Sequence, residues 1–366
     1  MSVLVDLIAG ARPNFMKIAP IVRAMESRQH GGQKISYRLV HTGQHYDRNM
    51  SDSFFEQLGI PQPQVNLEVG SGTQAEQTSA IMQGYEKLLF QKPAQFCLVV
   101  GDVTSTMACA ITAQKLGIPV GHVEGGIRSG DRGMPEEINR IVTDVISNYF
   151  FTTSKTANQN LLNSGVSKDR IFFVGNTMID TLLANQGEFA KPLLWDELGL
   201  CEKNYFVITL HRPNNVDQAD GFFRILEAIS EGVRGLPVIF PVHPRSANSI
   251  REIGSIPSVF TLVEPQPYLE FNFLVKHAKA VITDSGGITE EATVIGVPCM
   301  TMRDSTERPE TITIGTNELI GTDPDSLKPF LEKLFAGDWK KGGIPEKWDG
   351  RSGKRIVDQL EQILCN

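Results

Sequence analysis

The segment Gly121 to Arg140, GHVEGGIRSGDRGMPEEINR, sets the carboxylates of Glu124, Asp131, Glu136 and Glu137 among the guanidinium groups of Arg128, Arg132 and Arg140. Carboxylates whose pKa is raised in a closed site can move protons, and cations can hold an anion. Glycines at 125, 126, 130 and 133 break any helix across the middle of the segment. The apolar run Ile118–Val123 before it reads as a buried strand, and Glu136–Tyr149 after it reads as a helix. The charges therefore hang in a loop at the carboxyl end of a strand, where open α/β sheets place their ligands. The plain alternative is a solvated surface loop.

Other chemistry-bearing residues also follow apolar runs. GARPNFMK places Arg12 and Lys17 around the start of a helix, an arrangement that suits a phosphate. It matches neither GxGxxG nor GxxxxGK[ST], so no dinucleotide or P-loop reading follows. TGQHYDRN carries Gln44, His45 and Asp47, which either meet a ligand or cap a helix, capping being preferred. GDVTST puts Asp102 at the end of a strand. Ser105 and Thr106 already supply hydroxyls for a cap, so Asp102 is expected to face a ligand.

Further along, TLHRPNNVD sets His211 and Arg212 beyond a strand, and PVHPR repeats the arrangement more weakly with His243 and Arg245. In TDSGGITEEA, Ser285, Gly286 and Gly287 open a helix whose backbone can approach a diphosphate. Glu291, one turn in, can take the two hydroxyls of a ribose. Gln266 and Phe271 lie upstream, and Phe271 either stacks on a base or packs in the core. Arg308 in TERPE adds a second cation for phosphates.

The elements that must position these residues alternate. Expected strands are Val3–Ile8, Ser36–His41, Phe96–Val100, Pro119–Val123 and Tyr149–Thr152, with helices such as Met16–Arg28 and Thr106–Leu116 between them. The pattern restarts with strands Tyr205–Thr209, Val238–Pro241, Phe260–Leu262, Ala280–Thr283 and Pro298–Met302, and with helices Phe222–Val233, Leu269–Lys276 and Thr289–Ile295. Nearly all-apolar strands in βαβ alternation predict parallel sheets covered on both faces. Two doubly wound α/β halves follow, Rossmann-like domains over 1–175 and 176–350. The join falls near Val174–Leu198, and an amphipathic helix from 351 packs back on the first half.

The 366 residues suit about two domains. A net charge of -7 argues against a nucleic-acid partner. Five scattered cysteines with no CxxC spacing read as reduced and cytoplasmic. No apolar run reaches about 18 residues, so no membrane span is expected, and MSVLVDLIAG reads as a first strand, not a signal peptide.

Together GARPNFMK, GDVTST, HVEGGIR, MPEEINR, GNTMID, the His211–Arg212 pair, DSGGITEEA and TERPE resemble the non-hydrolysing UDP-N-acetylglucosamine 2-epimerases, in family order over nearly the whole chain. The resemblance implies a glycosyltransferase-B-type fold with two Rossmann-like domains facing a central cleft. It implies reversible conversion of UDP-GlcNAc to UDP-ManNAc with no nicotinamide cofactor and no metal. UDP would be eliminated across C1–C2 to leave a 2-acetamidoglucal, then added back with the proton delivered to the other face. By motif position, Asp102, Glu124 and Glu136 match the family's catalytic carboxylates and His211 its essential histidine. Arg12 and Lys17 would face the diphosphate, and Gln266, Phe271, Ser285, Gly286, Gly287, Glu291 and Arg308 match its UDP-binding positions. A homodimer through the first domain is also implied.

This chain departs from the pattern in a shorter loop between Arg128 and Pro135, in HRPNN where HRRE is frequent, and in Asp47 where allosterically regulated members have glutamine. These differences leave room for a modified substrate such as a UDP-2,3-diacetamido-uronic acid. A glycosyltransferase would have little need for Asp102, Glu124 and Glu136 together. A non-catalytic UDP-sugar-binding regulator would be expected to have lost one of them or His211.

Overall fold

Strand order decides where a ligand can sit in this molecule. The computed structural model describes residues 2–10, 12–28, 35–43 and 59–365, apart from the side chains of residues 12 and 13. Two compact units emerge. Unit 1 comprises Met1–Ala184 and Glu346–Asn366, and unit 2 comprises Asn185–Pro345.

Unit 1 holds a parallel sheet of β1 (Val3–Ala9), β2 (Ile35–His41), β3 (Val65–Asn66), β4 (Phe96–Val100), β5 (Val120–Val123), β6 (Tyr149–Thr152) and β7 (Ile171–Phe173). Its order is β3-β2-β1-β4-β5-β6-β7. Unit 2 holds β8 (Phe206–Thr209), β9 (Val238–Pro241), β10 (Phe260–Val263), β11 (Ala280–Thr283), β12 (Cys299–Thr301) and β13 (Asn317–Leu319), in the order β10-β9-β8-β11-β12-β13. Every described pairing in both sheets is parallel. Each sheet reverses its winding once, between β1 and β4 in unit 1 and between β8 and β11 in unit 2. At such points the connections diverge to opposite faces and leave a crevice above the strand ends.

The apolar strands explain the layering. In β8, Phe206 and Ile208 pack into one core with Phe222, Ile225 and Met300. Tyr205 and Val207 enter the opposite core with Ile239, Leu274 and Val281. Alternate side chains thus bury on both faces, which is why the strand carries no polar stripe. In unit 1 one exception is Asp6 in β1, fully buried. Its carboxylate takes two hydrogen bonds of 2.7 Å from Arg38, its register partner in β2, and one of 2.9 Å from Tyr85.

Boundaries differ from expectation where side chains compete. The first helix spans Arg12–Glu26, and the helix after the charged loop spans Pro135–Ile146, three residues short of Tyr149, which opens β6. The helix after β4 begins at Thr104 with Val103 at its cap, and no side chain caps it. Ser105 instead bonds Thr42 at 2.7 Å, and Thr106 donates to the Val100 carbonyl at 2.9 Å.

The helix Ser352–Cys365 returns to unit 1 and packs against Arg12–Glu26. A Cβ at Gly353 would lie 2.4 Å from the Pro20 carbonyl oxygen, so only glycine permits this approach. The Gly353 amide donates to Asp180 at 2.7 Å, and the buried indole of Trp348 donates to the Thr153 carbonyl at 3.3 Å. No helix among the described residues is long and apolar enough to cross a membrane.

Candidate active site

In unit 1 the winding reversal gathers residues from three strand ends. Asn14, in the helix after β1, donates to the Val100 carbonyl at the end of β4 at 2.9 Å. Lys17, one turn on, reaches Glu124 just past β5, with Nζ 2.9 Å from Oε2. Gly101 lies under this bridge. Its φ is +72°, and a Cβ there would meet the Lys17 Nζ at 3.2 Å. Glu124 is only 3% exposed and has φ +73°, a left-handed conformation that costs a non-glycine residue on the order of 1 kcal/mol. A buried carboxylate held in that conformation at a strand end is a mark of function more than of folding.

Asp102 stands two residues past β4. Its Oδ2 accepts from Arg140 Nε at 3.0 Å and from the second guanidinium nitrogen, and its carbonyl accepts from Asn139 at 2.8 Å. Arg140 is itself buried and also donates to Glu137 at 2.8 Å. Glu137, 2% exposed, then takes the backbone amides of Ser129 and Gly130 at 2.9 and 3.1 Å. Burial opposes ionisation of Glu137, but those amides and Arg140 outweigh it and hold its carboxyl below the usual range. Glu136, on the first turn of the same helix, is exposed. Two adjacent glutamates thus diverge: Glu137 supports the loop and Glu136 faces out.

Beneath the loop, His122 presents Nδ1 to Asp144 at 2.7 Å and Nε2 to the Gly101 carbonyl at 2.8 Å. Asp144 also takes the Gly126 amide at 3.0 Å and Arg128 at 2.6 Å. Burial raises the Asp144 pKa, but His122 and Arg128 bring it below the ordinary value.

In unit 2 a hollow of about 220 Å³ opens beyond β8, β9 and β11, lined by Thr209, His211, His243, Gln266, Phe271 and Ser285, among others. His211 and His243 lie with ring centroids 5.4 Å apart. Asp284, fully buried at the end of β11, receives His211 Nδ1 at 2.8 Å, the amides of His211 and Arg212 at 3.0 and 2.9 Å, and Asn215 at 3.0 Å. Burial works against its charge, yet the His211 ring, the amides and Asn215 lower its pKa. His243 accepts the Arg245 amide on Nδ1 at 3.2 Å, and burial, aided by His211 and Arg245, lowers its pKa.

Ser285, Gly286 and Gly287 open the helix Gly286–Ile295, with Ser285 at its cap. Glu290 and Glu291 follow, both buried. Glu290 receives Arg308 Nε, and Arg308 does not line the hollow. Glu291 accepts from Tyr268 at 2.9 Å, and burial drives its pKa up to about 7. Phe271 serves both readings, lining the hollow and packing against a core. Gln266 donates to its neighbour Glu264 at 2.7 Å and also lines the hollow. The side chain of Arg12 and residues Gln44, His45 and Asp47 lie outside what is described.

The family model for UDP-N-acetylglucosamine 2-epimerase matches residues 27–361. The chain belongs to that family. The UDP-N-acetylglucosamine 2-epimerase of Methanocaldococcus jannaschii is 39% identical over 366 residues, covering 96% of this chain and 97% of that protein. The UDP-2,3-diacetamido-2,3-dideoxy-D-glucuronate 2-epimerase of Pseudomonas aeruginosa is 37% identical over 364 residues, covering 97% and 99%. The crystal structure of the Methanocaldococcus jannaschii UDP-GlcNAc 2-epimerase in complex with UDP-GlcNAc and UDP superposes with a TM-score of 0.86, covering 98% of this chain and 99% of that one. This member of an isomerase family has the α/β fold of two Rossmann-like parallel sheets expected from its sequence, a glycosyltransferase-B-type arrangement.

Sequence reasoning singled out Glu137 and Arg140 without giving either a role, and missed the other supporting residues: Asn14, His122, Asp144, Asp284 and Tyr268. Most sit inside motifs already singled out, so the signal lay close by. Their partners lie far off in the chain, as with Asp102 and Arg140 or His211 and Asp284, and no local spacing reports such pairs.

Proposed function

We propose that this chain interconverts UDP-N-acetylglucosamine and UDP-N-acetylmannosamine by epimerising C2. A base removes the C2 proton and the C1–O bond breaks. UDP leaves with the bonding electron pair, and a C1=C2 double bond remains in a 2-acetamidoglucal. Re-addition of UDP at C1, with a proton delivered to the opposite face of C2, gives the epimer. The observation that carries this reading is the pair Asp102 and Glu124, carboxylates at the ends of adjacent strands, each bonded to a cation. Groups so held can exchange a proton without moving.

Asp102, Glu124 and Glu136 supply the acid and base. Arg12 and Lys17 lend positive charge toward the diphosphate. His211 protonates or hydrogen-bonds the leaving phosphate. Gln266 and Phe271 receive the uracil, the Ser285–Gly286–Gly287 helix start receives the diphosphate with Arg308 as a nearby cation, and Glu291 takes the ribose hydroxyls. The free cysteines, mostly buried, agree with a cytoplasmic enzyme making surface polysaccharide precursors, and a homodimer through unit 1 completes the reading.

A second substrate is a UDP-2,3-diacetamido-uronic acid, favoured by the 37% identity to an enzyme named for it. Proton NMR of the purified protein with UDP-GlcNAc in D2O, without added cofactor, distinguishes them. Deuterium at C2 together with a UDP-ManNAc signal supports the first reading. A folded, UDP-binding protein that gives no exchange with UDP-GlcNAc but exchanges the diacetamido-uronate supports the second.

A further inference from the structure

We infer that Asp284 is a positioning residue that acts through His211, fixing which ring nitrogen carries the proton and which is offered to the nucleotide. The inference rests on the reading of His211 given above. The two carboxylate oxygens share the work unequally. Oδ2 takes the amides of His211 and Arg212 at 3.0 and 2.9 Å and the Asn215 side chain at 3.0 Å, so it holds the turn after β8. Oδ1 lies 2.8 Å from the imidazole Nδ1 and also takes the His211 amide at 3.2 Å.

A carboxylate lowered in pKa only accepts, so Nδ1 must donate to it. Nε2 is then left with its lone pair or, after protonation, with a second N–H. That nitrogen is the one available to an oxygen of a diphosphate leaving group, on a ring that lines the hollow. Asp284 also precedes Ser285, the N-cap position of the helix Gly286–Ile295. One turn of chain thus orients the histidine and begins the helix whose amides face a phosphate. His243 differs: its Nδ1 accepts an amide, so its tautomer is set by a helix start and needs no carboxylate.

Asp284→Asn keeps the shorter turn-holding bonds and changes the ring contact, at the loss of only the 3.2 Å amide bond to Oδ1. The asparagine oxygen can keep the place of Oδ2, while its NH2 in the place of Oδ1 would face Nδ1 and force that nitrogen to accept. The expected result is a fall in kcat of about 100-fold or more, with UDP affinity and KM within about threefold of the parent. Side-chain 15N NMR at a pH where the ring is neutral should show the His211 proton on Nδ1 in the parent and on Nε2 in Asp284→Asn, with the signal assigned by its loss in His211→Gln.

In the His211→Gln background, adding Asp284→Asn should change kcat little further. Full kcat in Asp284→Asn, an unmoved tautomer, a loss of UDP affinity as large as the loss of kcat, or additive losses in the double variant would each overturn the inference. An active His211→Gln enzyme would instead remove the reading of the site. An inactive His211→Gln beside a fully active Asp284→Asn would remove only the role of Asp284.

Discussion

The two units share one winding order but surround some of their buried carboxylates differently. At the strand ends of unit 1, Asp102 and Glu137 meet Arg140, Glu124 meets Lys17, and Asp144 meets Arg128 and His122. In unit 2, Asp284 is held ionised by its donors, but Glu291 lies buried with Tyr268 as its hydrogen-bond partner and Glu310 is likewise buried, and both rise to about 7. Unit 1 thus pairs the carboxylates at its strand ends with cations that fix them in place. Unit 2 keeps a carboxylate, Glu291, that burial holds protonated up to about pH 7. The same scaffold supports both because each winding reversal leaves a crevice at the strand ends, and the loops around it determine its electrostatics.

The sharpest way to break this comparison is to neutralise the unit 1 carboxylates without changing their shape. Asp102→Asn, Glu124→Gln and Glu136→Gln should each lower turnover by about 10²–10⁴-fold. Calorimetry should find UDP affinity nearly unchanged. Full activity in all three would end the division of labour between the units.

Glu137→Ala tests the support rather than the chemistry. It removes one partner of a buried ion pair and leaves two loop amides without an acceptor. A loss of about 3–5 kcal/mol in unfolding free energy is expected, visible in denaturant titrations. Glu136→Ala, one residue earlier but exposed, should stay within about 0.5 kcal/mol of the parent.

In unit 2 the signs differ. Glu291 and Glu310 hold protons in the folded state up to about pH 7, whereas their ordinary value is 4.5. The stability they contribute is full below about pH 4.5 and is lost as pH rises toward 7. Glu137 and Asp144, both lowered, contribute stability that is lost as pH falls below their ordinary values of 4.5 and 3.8. Melting temperatures of Glu291→Gln and Glu310→Gln should therefore vary less between about pH 4.5 and 7 than those of the parent.

UDP affinity should run the other way. On the ribose assignment proposed for Glu291, binding should strengthen by up to roughly 30-fold between pH 5.5 and 8 as that carboxyl ionises. The same titration of Glu291→Gln subtracts the ionisation of UDP itself. Identical pH slopes in the two proteins would remove Glu291 from the ribose.

The mildest test is Gly101→Ala. A left-handed φ and a Cβ 3.2 Å from Lys17 Nζ should cost about 1–2 kcal/mol and loosen the Lys17–Glu124 bridge. Parent-like stability and turnover in this variant would show that the glycine is incidental.

By itself the sequence determined the layered architecture and the strand ends. The run FCLVV is apolar at every position and AVIT at all but its last, and a sheet buried on both faces accepts that pattern. Glycines and charges clustered just beyond those runs marked the loops, because a core excludes unpaired charge and a helix excludes glycine clusters. Strands as short as Val65–Asn66 and Asn317–Leu319 escaped notice because two or three residues carry no periodicity.

Only the tertiary structure decided that Glu137, not Glu136, turns inward, since neighbours on a helix differ by about 100° and sequence does not say which side is covered. It also decided that Arg140 holds Asp102 and that Asp284 holds His211, and it drew the last helix back onto unit 1 through Gly353. Those pairs lie between 38 and about 170 residues apart in the chain. Their meeting follows from strand order, which non-local packing sets and local spacing does not encode.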